Sequence, residues 1–343
     1  MLQHDTFNRE LDGKAVRLLE LHNAHGMRVH VTNYGAKLVS LYAPDADGAL
    51  ADVLLGFNTL DEWLSKETYF NAVIGRCANR IRGGHFELDG ESHQLAVNNG
   101  PNHLHGGVSG FNERVWEITE VSPMHVRLTY VSPDGEEAYP GELRASVTYQ
   151  LTNDNALEIS YEATCDKPTI VGFTQHAYFN LRGEGSGDVR DHVLQVFADQ
   201  YTPFDETACP TGEIAEVAGT PMDFREPVRI GERIDDVFFA PGRGIDNNFV
   251  LRKSAAAGQP ELAAVLSADK RRMEVWTTMP GLQVYTGNYV ERNVGKSGRE
   301  YDVQHAVCME AQNFPDAIHH AQFPSPILRP GETYRHKCIY RLV

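Results

Sequence analysis

Basic residues are scarce in this chain. Its 343 residues hold 31 Lys and Arg against 47 Asp and Glu, a formal net charge of −16. A negative field repels nucleic acid and anionic membrane surfaces, so neither is an expected partner. Long apolar runs are also missing. The stretch around Val53, Leu54, Leu55, Gly56 and Phe57 is far shorter than the roughly 20 residues that span a bilayer. The opening residues, Met1 to Thr6, show no charged segment leading into an apolar one. No secretory signal is read there, and the cytoplasm is the expected location. The five cysteines (Cys77, Cys165, Cys209, Cys308 and Cys338) are scattered and form no Cys-x-x-Cys pair. That pattern fits free thiols in a reducing compartment, not a disulfide frame or a zinc site. Helical periodicity is thin as well. Thr59-Leu60-Asp61-Glu62 reads as a capping box opening a short helix through Trp63 and Leu64. A Rossmann glycine pattern, a phosphate-binding loop, a nucleophile elbow and a periodic repeat are all absent.

What the chain does have is alternation with a period of two. Leu157, Ile159, Tyr161 and Ala163 alternate with Glu158, Ser160, Glu162 and Thr164. Val126, Leu128 and Tyr130 repeat the pattern, as do Ala145, Val147, Tyr149 and Leu151. Each run places one face on a core and the other toward water or a second sheet. Turn signals punctuate the runs: Asp47-Gly48, Asp89-Gly90, Asp134-Gly135 and Asp269-Lys270. The 30 glycines and 17 prolines suit many short strands. No linker stands out; the nearest candidate, residues 254–260, is short. The expected architecture is all-β, one large antiparallel β-sandwich over residues 1–343 with a few short helices. Trp63, Trp116 and Trp276 are expected in the core.

Five polar clusters interrupt this apolar background: residues 75–81, 102–107, 174–181, 244–249 and 308–315. Glu310 is the sharpest oddity. It follows the apolar, strand-like run from Ala306 to Met309 and shares a face with Cys308 and Gln312. A carboxylate there is expensive to bury unless it is bonded or functional, and desolvation raises its pKa toward that of a useful base. An exposed edge-strand Glu is the plainer alternative. His176 lies in an uncharged, aromatic stretch. An imidazole can give or take a proton near neutrality, although a lone histidine is more often a core residue tied to a carbonyl. Asn79 and Arg80 are adjacent donors. His103 and His105 share one face if extended, which is weak evidence for a metal. Asp246 reads equally well as a plain turn residue, and His319-His320 as a solvated pair.

Together the clusters resemble the aldose 1-epimerase family, and the resemblance covers almost the whole chain. It runs from Asn33-Tyr34-Gly35-Ala36 and Asp52–Phe57 through Gly75–Gly83, Leu104-His105-Gly106-Gly107 and Thr174–Leu181. It ends at Leu282–Asn288 and Cys308–Pro315. The resemblance implies the family's β-supersandwich with an open sugar cleft. It implies interconversion of the α and β anomers of an aldohexose such as galactose or glucose, with no cofactor and no metal. Glu310 matches the family's general base and His176 its general acid. Asn79, Arg80, His105, Asp246 and Gln283 match positions that hold sugar hydroxyls or the ring oxygen, and Tyr178 is expected on the same wall.

The chemistry is consistent with these residue types. Opening a hemiacetal needs a base at the C1 hydroxyl and an acid at the ring oxygen. His176 is expected to be at least partly protonated, with a nearby carboxylate raising its pKa, and Glu310 to be lifted toward neutrality. Tyr178 or Phe179 is expected against the apolar face of the sugar. Three other readings stay open: an epimerase of a phosphorylated hexose, a non-catalytic sugar-binding module, and a metal hydrolase built on the histidines. The oligomeric state and the preferred hexose are not legible.

Overall fold

The computed structural model describes residues 2–66, 69–254 and 258–343. Part of the linker candidate at 254–260, residues 255–257, therefore lies outside the described residues. Among the described residues the largest sheet has nine strands. They run in the order Glu117–Ser122, His125–Ser132, Leu143–Leu151, Ala156–Cys165, Tyr334–Leu342, Arg271–Thr277, Glu261–Ala268, Val193–Val196 and Val228–Arg229. A five-stranded sheet orders Ala215–Glu216, Ala198–Thr202, Asp246–Leu251, Gly281–Tyr285 and Cys308–Gln312. A four-stranded sheet orders Leu18–His22, Arg28–Thr32, Lys37–Pro44 and Leu50–Asp52. Pairing within all three is antiparallel.

Alternation explains how the sheets pack. Val126, Leu128, Val147, Tyr149, Ile159 and Tyr161 of the large sheet join one buried cluster. Val29, Val31, Leu38 and Leu41 of the four-stranded sheet meet them there, as do Phe249, Leu282, Val284, Met309 and Ala311 of the five-stranded sheet. One apolar layer thus serves three sheets, as a face-to-face sandwich requires. Burying an aliphatic or aromatic side chain of this size stabilises by about 1.5–3 kcal/mol. The turn readings hold locally. Asp89 and Gly90 both take positive φ, 53° and 85°, and close the hairpin that pairs Leu88 with Glu91. Thr59 and Glu62 form the capping box at the start of the helix Leu60–Ser65.

Three expectations need correction. Trp63 and Trp116 are core residues, but Trp276 is half-buried and its indole N–H donates to Glu274 at 3.1 Å. His103 and His105 do not share a face. The strand ends at Leu104, and His105 takes φ of 53°. His103 is locked into the core, its Nδ1 2.8 Å from the Ala96 carbonyl and its Nε2 2.6 Å from the Tyr139 hydroxyl. Phe179 cannot reach a sugar, because it is fully buried in the inter-sheet core with its ring 4.9 Å from that of Tyr340.

The core also holds titratable groups. His336 stacks on Tyr161 with ring centroids 4.7 Å apart, and burial pushes its pKa down to about 3. His192 is lowered to about 4, chiefly by burial. A folded-state pKa below the unfolded value means that the unfolded chain binds the proton first. The stability these residues contribute is therefore whole above about pH 6.5 and is lost as pH falls toward 3–4. Replacing His336 by Phe is expected to flatten the loss of stability between neutrality and acid by up to about 1.4 kcal/mol per pH unit. Urea denaturation of both proteins at stepped pH values checks this; parallel slopes would contradict it.

Candidate active site

The two faces of the five-stranded sheet differ. One carries the apolar residues of the core. The other carries Asp246 and Asn248, then Gln283 and Tyr285, then Cys308, Glu310 and Gln312. Register aligns Asn248 with Gln283 and Gln283 with Glu310. A second row aligns Asp246 with Tyr285 and Tyr285 with Cys308. This polar face forms the floor of a cleft of about 450 Å³.

Other segments wall it in. Thr174–Gln175 pairs with Val73–Ile74, and just beyond it the His176 backbone N–H donates to Ala72 at 3.0 Å. Asn71, wholly buried at φ 54°, staples this wall. Its N–H donates to the His176 carbonyl at 2.9 Å, and its side-chain oxygen accepts from the Tyr178 N–H at 2.9 Å. Its amide nitrogen donates to the Leu55 carbonyl at 2.7 Å. Beside His176, whose ring lies 5.3 Å from that of His105, Asn79 takes φ of 62° and exchanges bonds with His105. The Asn79 N–H donates to His105 Nδ1 at 3.1 Å, and the His105 N–H donates to the Asn79 carbonyl at 3.0 Å. Gly106 follows at φ 87°. A Cβ there would lie 1.9 Å from the Gly75 carbonyl oxygen, so glycine is required at this close approach. Arg80 is half-buried and held by its Nε donating to Asn99 at 3.0 Å.

Of the eight residues expected in the site, seven line this one cleft: Asn79, Arg80, His105, His176, Tyr178, Asp246 and Glu310. Gln283 stands behind it, almost fully buried, and its amide donates to Asp246 Oδ1 at 2.7 Å. His176 Nε2 and Glu310 Oε1 are 3.6 Å apart, and their side chains are only 6% and 2% exposed. Tyr178 stacks on His176 at 4.9 Å between centroids, with 10° between the planes. Tyr69, Tyr285 and Tyr289 also line the cleft and were not singled out in the sequence. Tyr285 had a signal, since it is two residues from Gln283 on the same strand face. Tyr69 and Tyr289 sit in loops, where no periodicity marks them.

The electrostatics follow from dryness. Burial lifts the Glu310 carboxyl well above the ordinary range; the neighbouring Asp246 adds to this, and Arg80 opposes it. Burial also raises Asp246, against Arg80 and the Gln283 amide. Burial lowers His176 to about 3 and, together with the nearby His176 and Arg80, puts His105 well below its usual value. The expectation that a carboxylate neighbour raises His176 is therefore overturned. Desolvation of the imidazolium outweighs the attraction. In the sugar-free site burial thus favours the neutral form of both groups, the protonated carboxyl and the neutral imidazole.

Fold and floor together define a β-sandwich protein whose cleft sets a buried carboxyl against a buried imidazole. A family model described as aldose 1-epimerase matches residues 17–341. Galactose mutarotase of Sus scrofa is 44% identical over 312 residues, covering 90% of this chain and 89% of that protein. Aldose 1-epimerase of Escherichia coli (strain K12) is 39% identical over 336 residues, covering 97% and 96%. Among solved structures, a GalM/aldose epimerase homologue from C. elegans superposes with a TM-score of 0.89 at 31% identity, covering 96% of this chain and 99% of that one. Galactose 1-epimerase from Lactobacillus acidophilus superposes at 0.84 with 34% identity, covering 98% and 96%. The chain belongs to the aldose 1-epimerase family.

Replacing Asn71 by Ala removes its side-chain bonds to the Tyr178 N–H and the Leu55 carbonyl and leaves those buried groups without this partner. It is expected to destabilise the protein by about 2–4 kcal/mol. Chemical denaturation checks this, and a loss below about 0.5 kcal/mol would contradict it.

Proposed function

We propose that the protein is an aldose 1-epimerase that interconverts the α and β anomers of neutral aldohexoses such as galactose and glucose. Glu310 is the general base and His176 the general acid. Asn79, Arg80, His105, Tyr178 and Asp246 bind the sugar, and Gln283 acts by holding Asp246. The observation that carries this reading is the 3.6 Å separation of His176 Nε2 and Glu310 Oε1 in the floor of an otherwise open cleft. Two oxygens bonded to one anomeric carbon suit two proton-transfer groups that lie this close.

The steps balance. Glu310 takes the proton from the C1 hydroxyl while the bond from C1 to the ring oxygen breaks and an aldehyde forms. His176 delivers its proton to the departing ring oxygen. Half a turn about the C1–C2 bond presents the other aldehyde face, and reclosure reverses both transfers. Opening converts a carboxylate and an imidazolium into a carboxylic acid and a neutral imidazole. That is the distribution burial favours here, so the site pulls the ring open. Arg80 beside Glu310 and hydroxyl groups of the sugar supply the solvation that the charged starting form needs.

A neutral substrate is favoured over a phosphorylated one. Arg80 is the one Arg or Lys among the described cleft-lining residues, where Glu206, Asp246 and Glu310 bring carboxyl groups. The whole chain acts as a single catalytic domain, and the cytoplasm is its proposed location, in keeping with its free cysteines.

Glu310→Gln and His176→Asn are each expected to lower kcat by about 10²–10⁴. Polarimetry on fresh α-galactose measures this, and near-wild-type rates in either variant would refute the roles. Glu310→Gln also removes a buried acid whose raised pKa costs stability as pH rises through it. Its Tm is expected to equal or exceed that of the wild type at alkaline pH; a lower Tm would contradict the burial argument. The pH profile of kcat/KM is expected to fall on the alkaline side, where the pair loses its proton. It should show no acid limb near the ordinary imidazole value of about 6.5. An acid limb at that value would contradict the lowered His176.

A further inference from the structure

Arg82 lies two residues beyond Arg80, outside the cleft lining, and its guanidinium reaches a different part of the chain. Its Nη1 donates to Asp205 Oδ2 at 2.6 Å, and its Nη2 donates to the Pro210 carbonyl at 2.9 Å. The turn between those two anchors carries Glu206, Thr207 and Ala208, which form part of the cleft wall. Asp205 also shapes the turn from within. Its Oδ1 accepts from the Thr207 N–H at 2.8 Å and from the Thr207 hydroxyl at 2.6 Å. Burial works against its charge, yet the Thr207 hydroxyl and Arg82 hold its pKa down at about 2. Asn102 is a second strut. Its amide donates to the Thr207 carbonyl at 3.0 Å while its oxygen accepts from the Gly83 N–H at 3.1 Å.

The other end of Arg82 is fixed just as firmly. Asp316 is buried, six residues after Glu310. Its N–H donates to the Arg80 carbonyl at 2.9 Å, and its Oδ1 accepts from the Arg82 N–H at 2.9 Å. The histidines expected to form a solvated pair instead turn toward this carboxylate. His319 Nδ1 is 2.6 Å from Oδ1, and His320 Nε2 is 3.4 Å from Oδ2. One chain of bonds therefore runs from the segment beyond Glu310, through Asp316, to the Arg80 carbonyl and the Arg82 N–H on either side of Ile81. From there it continues through the Arg82 fork to the far wall.

We propose that Arg82 is a positioning residue that sets sugar affinity, holding the 206–208 wall against the Arg80 side of the cleft through Asp205 and Pro210. The inference rests on the reading of this cleft as a sugar site. The planar fork matters as well as the charge, because one guanidinium bonds a carboxylate and a carbonyl at once. The hydrogen bonds of the Arg82 and Asp205 side chains go to the wall and its turn and not to His176 or Glu310, so the effect falls on binding and not on turnover.

The test compares wild type with Arg82→Met, Arg82→Lys, Asp205→Asn and the Arg82→Met/Asp205→Asn double variant. Calorimetry gives Kd for galactose, and polarimetry gives kcat and KM. Arg82→Met is expected to raise Kd and KM about fivefold to tenfold while kcat stays within about twofold. Arg82→Lys is expected to recover part of the affinity, and the double variant to bind no worse than Arg82→Met. A folded Arg82→Met with unchanged Kd and KM overturns the proposal. So does a loss confined to kcat, or a double variant whose losses multiply. Should Arg82→Met fail to fold, Asp205→Asn decides: a several-fold rise in Kd supports the proposal, and an unchanged Kd overturns it. A wild type that binds galactose without turning it over would refute the epimerase reading and leave the Kd comparison standing. A wild type that does not bind galactose overturns both.

Discussion

A carboxyl and an imidazole that face each other in a nearly dry floor are the constraint on which the rest of the site depends. His176 Nε2 and Glu310 Oε1 lie 3.6 Å apart, and both side chains are almost wholly removed from water. Charging both groups in such a place is unfavourable unless other groups solvate them. The surroundings are built around that difficulty. Arg80 favours the charged carboxyl, Asp246 disfavours it, and Tyr178 stacks on the imidazole.

The scaffold explains how such a pair can be held without a long helix. A strand has two faces, and the five-stranded sheet uses them for opposite purposes. Met309 and Ala311 enter the inter-sheet core, while Glu310 between them faces the cleft. Apolar packing on one side therefore fixes the backbone that aims Glu310 on the other. His176 is aimed differently, by a short strand and by Asn71, which bonds the His176 carbonyl and the Tyr178 N–H. The side of the cleft that carries Asn79 and His105 depends on residues at positive φ, Asn79, His105 and Gly106, which turn the backbone back on itself at the cleft edge.

Much of this was legible in the sequence, and physical reasons separate what was from what was not. Period-two alternation at 126–130, 145–151 and 157–163 announced the strands of the large sheet. The capping box at Thr59 and the Asp89-Gly90 turn are local chemistry, so a short window sufficed for them. Glu310 was conspicuous because a carboxylate interrupts an apolar strand. The loop-borne wall was silent: Tyr69, Tyr289 and the 206–208 turn follow no period, and tertiary bonds alone bring them to the cleft. Asn71 was missed because it is a lone asparagine whose importance lies in three backbone partners. The protonation of His176 was read with the wrong sign. Proximity to a carboxylate can be guessed from a motif, but the depth of burial that outweighs it depends on the packed structure.

The most direct measurement of the central claim is the charge state of His176 itself. Nitrogen-15 NMR of the histidine side chains, with His176→Asn used for assignment, follows its ring nitrogens as pH is lowered. The account predicts a neutral imidazole in the sugar-free protein at every pH from neutral down to well below the ordinary histidine value of about 6.5. An imidazolium at His176 near neutrality, titrating at or above that value, would contradict it.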